Sequence, residues 1–378
     1  MKNAVIAGYV RTPFSFGGKG ELTKVRADDM AAEAVKGLLE RTKVNVNDIE
    51  DLILGCAFPE GEQGLNLGRL VVLNADLPIT IGGVTVNRFC GSSMQAIHQA
   101  AGAIACGAGE VFICAGVESM SRVPMGGFNP LPNPKLYDRL PGAYIGMGDT
   151  AENVAQRWNI SRREQEQLAV DSHAKATQAQ AEGRLADEII PLTTKAGIVD
   201  KDSCIRPGTT LEALANLKPA FDVNGTVTAG TSSPITDGAA AVLICSEEYA
   251  KKHGLPMLAR IKSFAVAGCD PDIMGIGPVA AAKKALDRAG LKAEDMDIVE
   301  LNEAFASQAI ACVKELGLDW SKINIDGGAL ALGHPLGATG ARITGKAAAL
   351  LQREKKKYAL SAQCIGGGQG IATILEAI

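Results

Sequence analysis

The sequence contains no apolar run of about 18 residues, no C-x-x-C pair, no dense Lys/Arg stripe and only four histidines among its 378 residues. Each absence closes off a class of function. Without such a run no segment is suited to crossing a bilayer. No apolar h-region or Arg- and Ser-rich transit peptide precedes the strand-like start at residues 1–6, so a cytoplasmic location is the default expectation. The nine cysteines (56, 90, 106, 114, 204, 245, 269, 312 and 364) are odd in number and lack metal-type spacing. They fit neither a disulfide framework nor a zinc site and read as reduced and intracellular. A net charge of −4 without a basic stripe argues against nucleic acid, so any anionic ligand must be held by local charges. A composition 47% hydrophobic and 21% charged excludes disorder and collagen-like structure, and the length fits two or three domains.

What is present is an alternation of short apolar runs, such as 52–56, 111–115, 298–301, 323–325 and 358–362, with helical patterns. Such alternation implies α/β architecture, with helices packed on sheets. Residues 84–107 and 323–351 echo each other: strand, special residue, Gly/Ser-rich turn, Ala-rich helix. The echo suggests two related halves. Between them, residues 121–150 carry Pro124, Pro130, Pro132, Pro134 and Pro141 among several glycines, followed by a polar helical stretch at 151–183. A long irregular excursion inside a compact protein is usually a lid or a binding loop.

The most informative residue is Cys90, which ends the extended run 84–89 and opens the helical stretch 91–97. There, free N–H groups and the helix macrodipole favour an anion, and a thiolate is the reactive form of cysteine. A cysteine nucleophile needs a base. His98 lies eight residues along the same helix, roughly 12 Å away, and is too far. His173 sits among Glu, Gln and Lys and is expected on a solvated face, and His253 precedes Gly254 at a helix C-terminus. His334 differs: the segment 327–340 around it is richer in glycine than packing requires, which points to close backbone approach to something. Cys364 opens Cys-Ile-Gly-Gly-Gly-Gln-Gly after a strand, and Asn302 follows the strand 298–301. Both stand at strand C-terminal ends, where open α/β sheets place their sites. Other cysteines, including Cys114 and Cys245 inside apolar strands, read as small buried hydrophobes.

These motifs together resemble the thiolase family over essentially the whole chain. The resemblance is carried by Val86-Asn87-Arg88-Phe89-Cys90-Gly91-Ser92-Ser93, Gly116-Val117-Glu118-Ser119-Met120, Val227-Thr228-Ala229-Gly230, Asn302-Glu303-Ala304-Phe305-Ala306, Gly333-His334-Pro335 and the segment 364–370. It implies an α/β thiolase fold: two similar βαβαβαββ halves in a five-layered α-β-α-β-α sandwich with an inserted loop domain. The implied units are residues 1–118 plus 236–256, the coenzyme A-covering loop domain 119–235, and 257–378. The resemblance further implies CoA-dependent cleavage of a 3-ketoacyl-CoA through an acyl-cysteine, with ping-pong kinetics. Cys90 is then the nucleophile, His334 its base and Cys364 the second acid/base. Asn302 holds a water that with His334 forms one oxyanion hole, and the N–H groups of Cys90 and Gly366 form the other. Arg206 lies near the nucleotide of coenzyme A and Ser233 near its pantetheine. Coenzyme A and acyl-CoA are substrates and no tightly bound cofactor is implied. The implied assembly is a homodimer or homotetramer, with a fatty-acid oxidation complex subunit as a further partner.

Departures from the family pattern bear on substrate. Gly146 precedes Met147 where many biosynthetic acetoacetyl-CoA thiolases have His, Thr231 follows Thr-Ala-Gly where Asn is common, and Pro234 takes a position usually small. The run 88–95 is similar to that of the thiolase subunit of bacterial fatty-acid oxidation complexes. These features favour a degradative, β-oxidation role over short-chain Claisen condensation. The Pro-rich segment 129–134 is a further candidate for shaping the tunnel. Two other classes compete: a decarboxylating ketoacyl synthase, which needs another His or an Asn in place of Cys364, and a catalytically silent acyl-CoA-binding protein, which would have lost the four catalytic residues present here.

Overall fold

The computed structural model describes residues 2–378. In chain order it opens with β1 (Ala4–Arg11), β2 (Ser15–Phe16), α1 (Ala27–Thr42), β3 (Asp51–Gly55), α2 (Leu67–Asn74), β4 (Gly82–Val86), α3 (Ser92–Cys106) and β5 (Val111–Ser119). A long excursion carries α4 (Pro134–Arg139), α5 (Met147–Arg157), α6 (Arg162–Ala181), the hairpin of β6 (Leu192–Thr194) and β7 (Gly197–Val199), and α7 (Leu211–Ala215). The chain returns through β8 (Thr236–Ser246), α8 (Glu247–His253), β9 (Ala259–Gly268), α9 (Gly277–Ala289), β10 (Ile298–Leu301) and α10 (Ala306–Leu316). It ends with α11 (Ala329–Leu332), α12 (Leu336–Arg353), β11 (Tyr358–Ile365) and β12 (Gln369–Glu376). Among the described residues no helix is long and apolar enough to cross a membrane.

One sheet runs through the molecule in the order β10-β11-β12-β9-β1-β8-β5-β3-β4, with β2 added alongside β8. It contains the same arrangement twice. From the β4 edge inward, β4, β3 and β5 are parallel and β8 and β1 antiparallel. From the other edge, β10 and β11 are parallel and β12 and β9 antiparallel, and the place of the outermost strand is taken by a single parallel bridge from Val299 to Ile323. The two sets meet only where Val5 and Ile6 pair with Arg260 and Ala259. The sequence echo is therefore a repeat of topology, in which α3 and α12 are counterparts.

Helices cover both faces. Alternation along β8 shows how: Ala239, Ala241, Leu243 and Cys245 join the core under α1 and α2, while Ala240, Val242 and Ile244 join the central core shared with α3 and α12. Every residue of β5 and β8 is buried, as expected of strands covered on both sides. On the far side α9 and α10 pack their apolar faces on β10, β11 and β12. The layers are thus helices, sheet, the α3/α12 pair, sheet, helices.

Three readings of the sequence need correction. Residues 323–325 form no strand, because Asn324 takes a left-handed φ of 46° directly after the one bridging residue and turns the chain away. The polar helical stretch is two helices: Asn159 (φ 51°) breaks it, and α6 restarts on a capping box in which Ser161 and Glu164 satisfy each other's backbone N–H groups. Nor are all the remaining cysteines buried, since Cys106 is exposed at the end of α3 and Cys269 is half-buried.

Candidate active site

The strand leading to Cys90 stops earlier than its extended run suggests. After Val86, Asn87 folds back: its Oδ1 accepts the Phe89 N–H (2.8 Å) and its amide donates to the Ala57 carbonyl (3.0 Å). Phe89 is pushed into a left-handed conformation, φ 42°, and Ser92 Oγ accepts the Arg88 N–H (2.9 Å). This elbow sets Cys90 just ahead of α3. Two contacts then tie the elbow to the far sheet: Gln363 donates its amide to the Cys90 carbonyl, and Arg88 donates to Gln369 Oε1 (2.7 Å).

His334 occupies the corresponding turn before α12. Gly333 has φ 102°, a conformation open to glycine but not to most residues, and a Cβ there would meet Thr236 at 2.7 Å. Thr236 Oγ1 accepts the His334 N–H (3.0 Å). The ring lies between Thr339 Oγ1, 2.6 Å from Nδ1, and the Asn302 amide nitrogen, 3.4 Å from Nε2. An amide nitrogen can only donate, so Nε2 carries the lone pair and Nδ1–H donates to Thr339. Burial, reinforced by the Arg342 charge, pushes the imidazole down to about 3, so it rests neutral.

Burial also governs both thiols. It pushes Cys90 up to about 12, against the N–H of Gly366, which donates toward the sulfur, and despite the helix N-terminus that favours a thiolate. Cys364, near the end of β11 and fully buried, is raised well above the usual thiol value by burial and then by the adjacent Cys90. The resting site holds two thiols and a neutral imidazole.

Cys90, His334, Cys364, Arg206 and Ser233 all line one cavity of about 620 Å³. Asn302, fully buried one residue beyond β10, reaches that cavity through His334, and its Oδ1 has no protein partner. Met120, Met125, Met147, Met274, Phe221 and Phe305 supply most of the apolar wall. Gly146 and Pro234 line the cavity too, whereas Thr231 is buried behind it, its Oγ1 accepting the Thr228 N–H (2.9 Å), and the Pro-rich segment 129–134 is exposed away from it.

The chain belongs to the thiolase family. A family model described as the thiolase N-terminal domain matches residues 4–248, and one described as the thiolase C-terminal domain matches 255–377. The chain is similar to curated proteins named 3-ketoacyl-CoA thiolase from Vibrio vulnificus (49% identical over 387 residues), Bacillus subtilis (46% over 389) and Shewanella oneidensis (50% over 389), in each case over 100% of both chains.

The other histidines of this thiolase lie outside the cavity. His98 is buried, shares a hydrogen bond with Thr373 Oγ1 (2.8 Å) and stacks on Phe264. His173 is not on a solvated face: it is buried, its Nδ1 accepts the Arg206 N–H (3.1 Å), and burial pushes it down to about 4. The partner that buries it lies in a distant segment, which helical periodicity cannot reveal. His253 closes α8 against the left-handed Gly254, as expected.

The glycines around His334 also find an explanation different from the expected one. A Cβ on Gly337 would lie 2.8 Å from the Val117 carbonyl oxygen, and one on Gly340 2.3 Å from the Met94 nitrogen of α3. The close approach is to the protein itself. Two carboxylates that sequence reasoning passed over as motif residues hold this turn. Glu118 accepts the N–H groups of Ala57 (2.8 Å), Phe58 (3.2 Å) and Gly337 (3.0 Å), and Glu303 accepts Ser172 Oγ (2.7 Å), the Asn324 amide (2.7 Å) and the Leu330 N–H (3.2 Å). The hydroxyl of Thr339, five residues beyond His334, was legible only as a polar residue on the first turn of α12.

Proposed function

We propose that this chain is a 3-ketoacyl-CoA thiolase, cleaving its substrate with coenzyme A to acetyl-CoA and a shortened acyl-CoA. The observation that carries the reading is the convergence of a thiol at a helix N-terminus, a neutral imidazole whose Nε2 carries the lone pair, and a second protonated thiol on one largely apolar cavity.

The proton inventory dictates the order of events. Cys90 gives its proton to His334 Nε2 as its sulfur bonds to the 3-keto carbon, so no separated thiolate–imidazolium pair need exist beforehand. The oxyanion formed on that carbon lies by the N–H groups of Cys90 and Gly366. Its collapse breaks the C2–C3 bond, leaving acyl-Cys90 and the enolate of acetyl-CoA. The enolate oxygen is met by protonated His334 and by a water for which the unpartnered Asn302 Oδ1 is an acceptor. Cys364 delivers its proton to the enolate carbon, giving acetyl-CoA. The Cys364 thiolate then takes the thiol proton of incoming coenzyme A, whose sulfur attacks the acyl carbon and expels the Cys90 sulfur, to which protonated His334 returns its proton. Arg206 and Ser233 contact coenzyme A.

The reading extends to a degradative role in β-oxidation and a cytoplasmic location. It includes the division into units 1–118 plus 236–256, 119–235 and 257–378. A homodimer or homotetramer is supported by the uncovered edge strand β4, beside which Leu65 and Ile79 are 89% and 77% exposed. A fatty-acid oxidation complex subunit remains a further proposed partner. The test is kcat/KM for thiolysis of 3-ketoacyl-CoA substrates of four to sixteen carbons. The methionine-rich cavity leads us to expect activity that persists or rises beyond four carbons. Activity confined to acetoacetyl-CoA would assign the condensing class, and none on any substrate would reject catalysis.

A further inference from the structure

We propose that Phe16 and Lys19 form, together with Arg206, a two-cation cradle at the cavity mouth that recognises the phosphorylated nucleotide end of coenzyme A, with Lys19 reading the ribose 3′-phosphate. The inference rests on the thiolase reading above and adds Phe16 and Lys19, to which that reading gives no role.

The cavity wall carries two basic side chains, Lys19 and Arg206, and one acidic, Asp149. Both cations sit over a single ring: Lys19 Nζ is 4.6 Å and the Arg206 guanidinium carbon 5.1 Å from the Phe16 centroid. Among the described residues neither is within ion-pairing distance of a carboxylate. The backbone that carries the ring is held firmly. Phe16 pairs with Thr236 in β2, and the turn after it is pinned by Gly17 N–H to the Ile235 carbonyl (2.7 Å), Gly18 N–H to Ser121 Oγ (2.7 Å) and Gly20 N–H to the Phe16 carbonyl (2.8 Å). The backbone N–H of Arg206 is held by His173 Nδ1 (3.1 Å).

Two unpaired cations gathered around one aromatic ring repel each other, and a cation–π contact offsets only part of that cost. A ligand bearing more than one phosphate resolves it. The protein as a whole is negative, so long-range attraction does not bring an anion here and the mouth itself must hold it. Coenzyme A has a long uncharged arm, which suits the apolar interior leading to Cys90, and separate diphosphate and 3′-phosphate groups, which suit two neighbouring cations.

The test uses a nucleotide-free acyl donor, acetoacetyl-pantetheine, with coenzyme A, dephospho-coenzyme A or pantetheine as acceptor thiol. Lys19→Ala is expected to raise the KM for coenzyme A about tenfold, the scale of one charge-assisted contact. It should leave kcat and the KM for pantetheine unchanged and abolish the preference for coenzyme A over its dephospho form, and Lys19→Arg should restore that preference. An unchanged KM for coenzyme A, or an equal rise for pantetheine, overturns the proposal. If the wild-type protein turns over no thiol at all, the thiolase reading fails instead. The cradle is then judged by calorimetric binding of coenzyme A, with a weakened Lys19→Ala supporting it and equal affinities rejecting it.

Discussion

A cysteine at a helix N-terminus is pulled toward the thiolate by the local dipole and toward the thiol by desolvation, and at Cys90 desolvation wins. Alkylation by iodoacetamide should therefore accelerate about tenfold per pH unit from neutral pH to about pH 9, as expected when the thiolate is a small, growing fraction. A plateau below pH 8 would show a preformed thiolate–imidazolium pair. The proposed mechanism needs Cys364 only after acylation, so Cys364→Ala should still form acyl-Cys90 in a rapid-quench burst. Its turnover should fall by a factor of about 10²–10⁴, the usual worth of a positioned proton carrier. A lost burst would reject the division of labour. Single residues with chemistry of their own were legible in the sequence because Cys90, Asn302 and Cys364 interrupt apolar patterns at or just after strand ends and His334 stands in a glycine-rich turn. His173, Thr339 and Lys19 were not, since each acquires its meaning from Arg206, His334 or Phe16 across the fold.

Counterpart helices α3 and α12 lie side by side at the molecule's centre, one beginning after Cys90 and the other after His334, so their separation bears on the distance between the proposed nucleophile and base. At Gly340 they approach so closely that a Cβ would lie 2.3 Å from the Met94 nitrogen. Gly340→Ala places a methyl group against the Met94 backbone and must push the helices apart, an overpacking cost of about 1–3 kcal/mol. We expect a lowered urea midpoint and a slower acylation burst, with deacylation by coenzyme A less affected. A variant with wild-type acylation would show that this contact does not set the site. The strand, turn and helix alternation announced both copies of this unit, because period and glycine placement are local properties. The missing outer strand at 323–325 was not announced: its residues have strand composition, and only the left-handed turn at Asn324, which releases the Asn324 amide to Glu303, shows why pairing stops.

Segments far apart in the sequence are fastened by charges buried between them. Arg11 of β1 binds Asp202 through two nitrogens (2.6 and 2.7 Å) and Glu188 (2.8 Å), Lys346 of α12 joins Glu188 (2.9 Å) to Asp326 (2.7 Å), and Arg353 also holds Asp326 (2.6 Å). In the sequence each of these reads as an ordinary surface charge; burial and pairing arise only when β1, the excursion and α12 come together. Burial alone would raise the Glu188 carboxyl, but Lys346 and Arg11 outweigh it and hold its pKa below the usual value. A carboxylate depressed in this way adds stability above its unfolded pKa of about 4.3 and loses it as the pH falls through the lower folded value. Glu188→Gln should therefore be less stable at pH 7 by about 1.5–3 kcal/mol, the range for hydrogen bonds to a charged group. Because glutamine does not titrate, its urea midpoint should fall less steeply than that of the wild type below about pH 4.5. The two curves of midpoint against pH should then converge as the pH falls further, whereas curves that stay parallel would mean that the network contributes no ionisation-linked stability and that Glu188 only fills space between the halves.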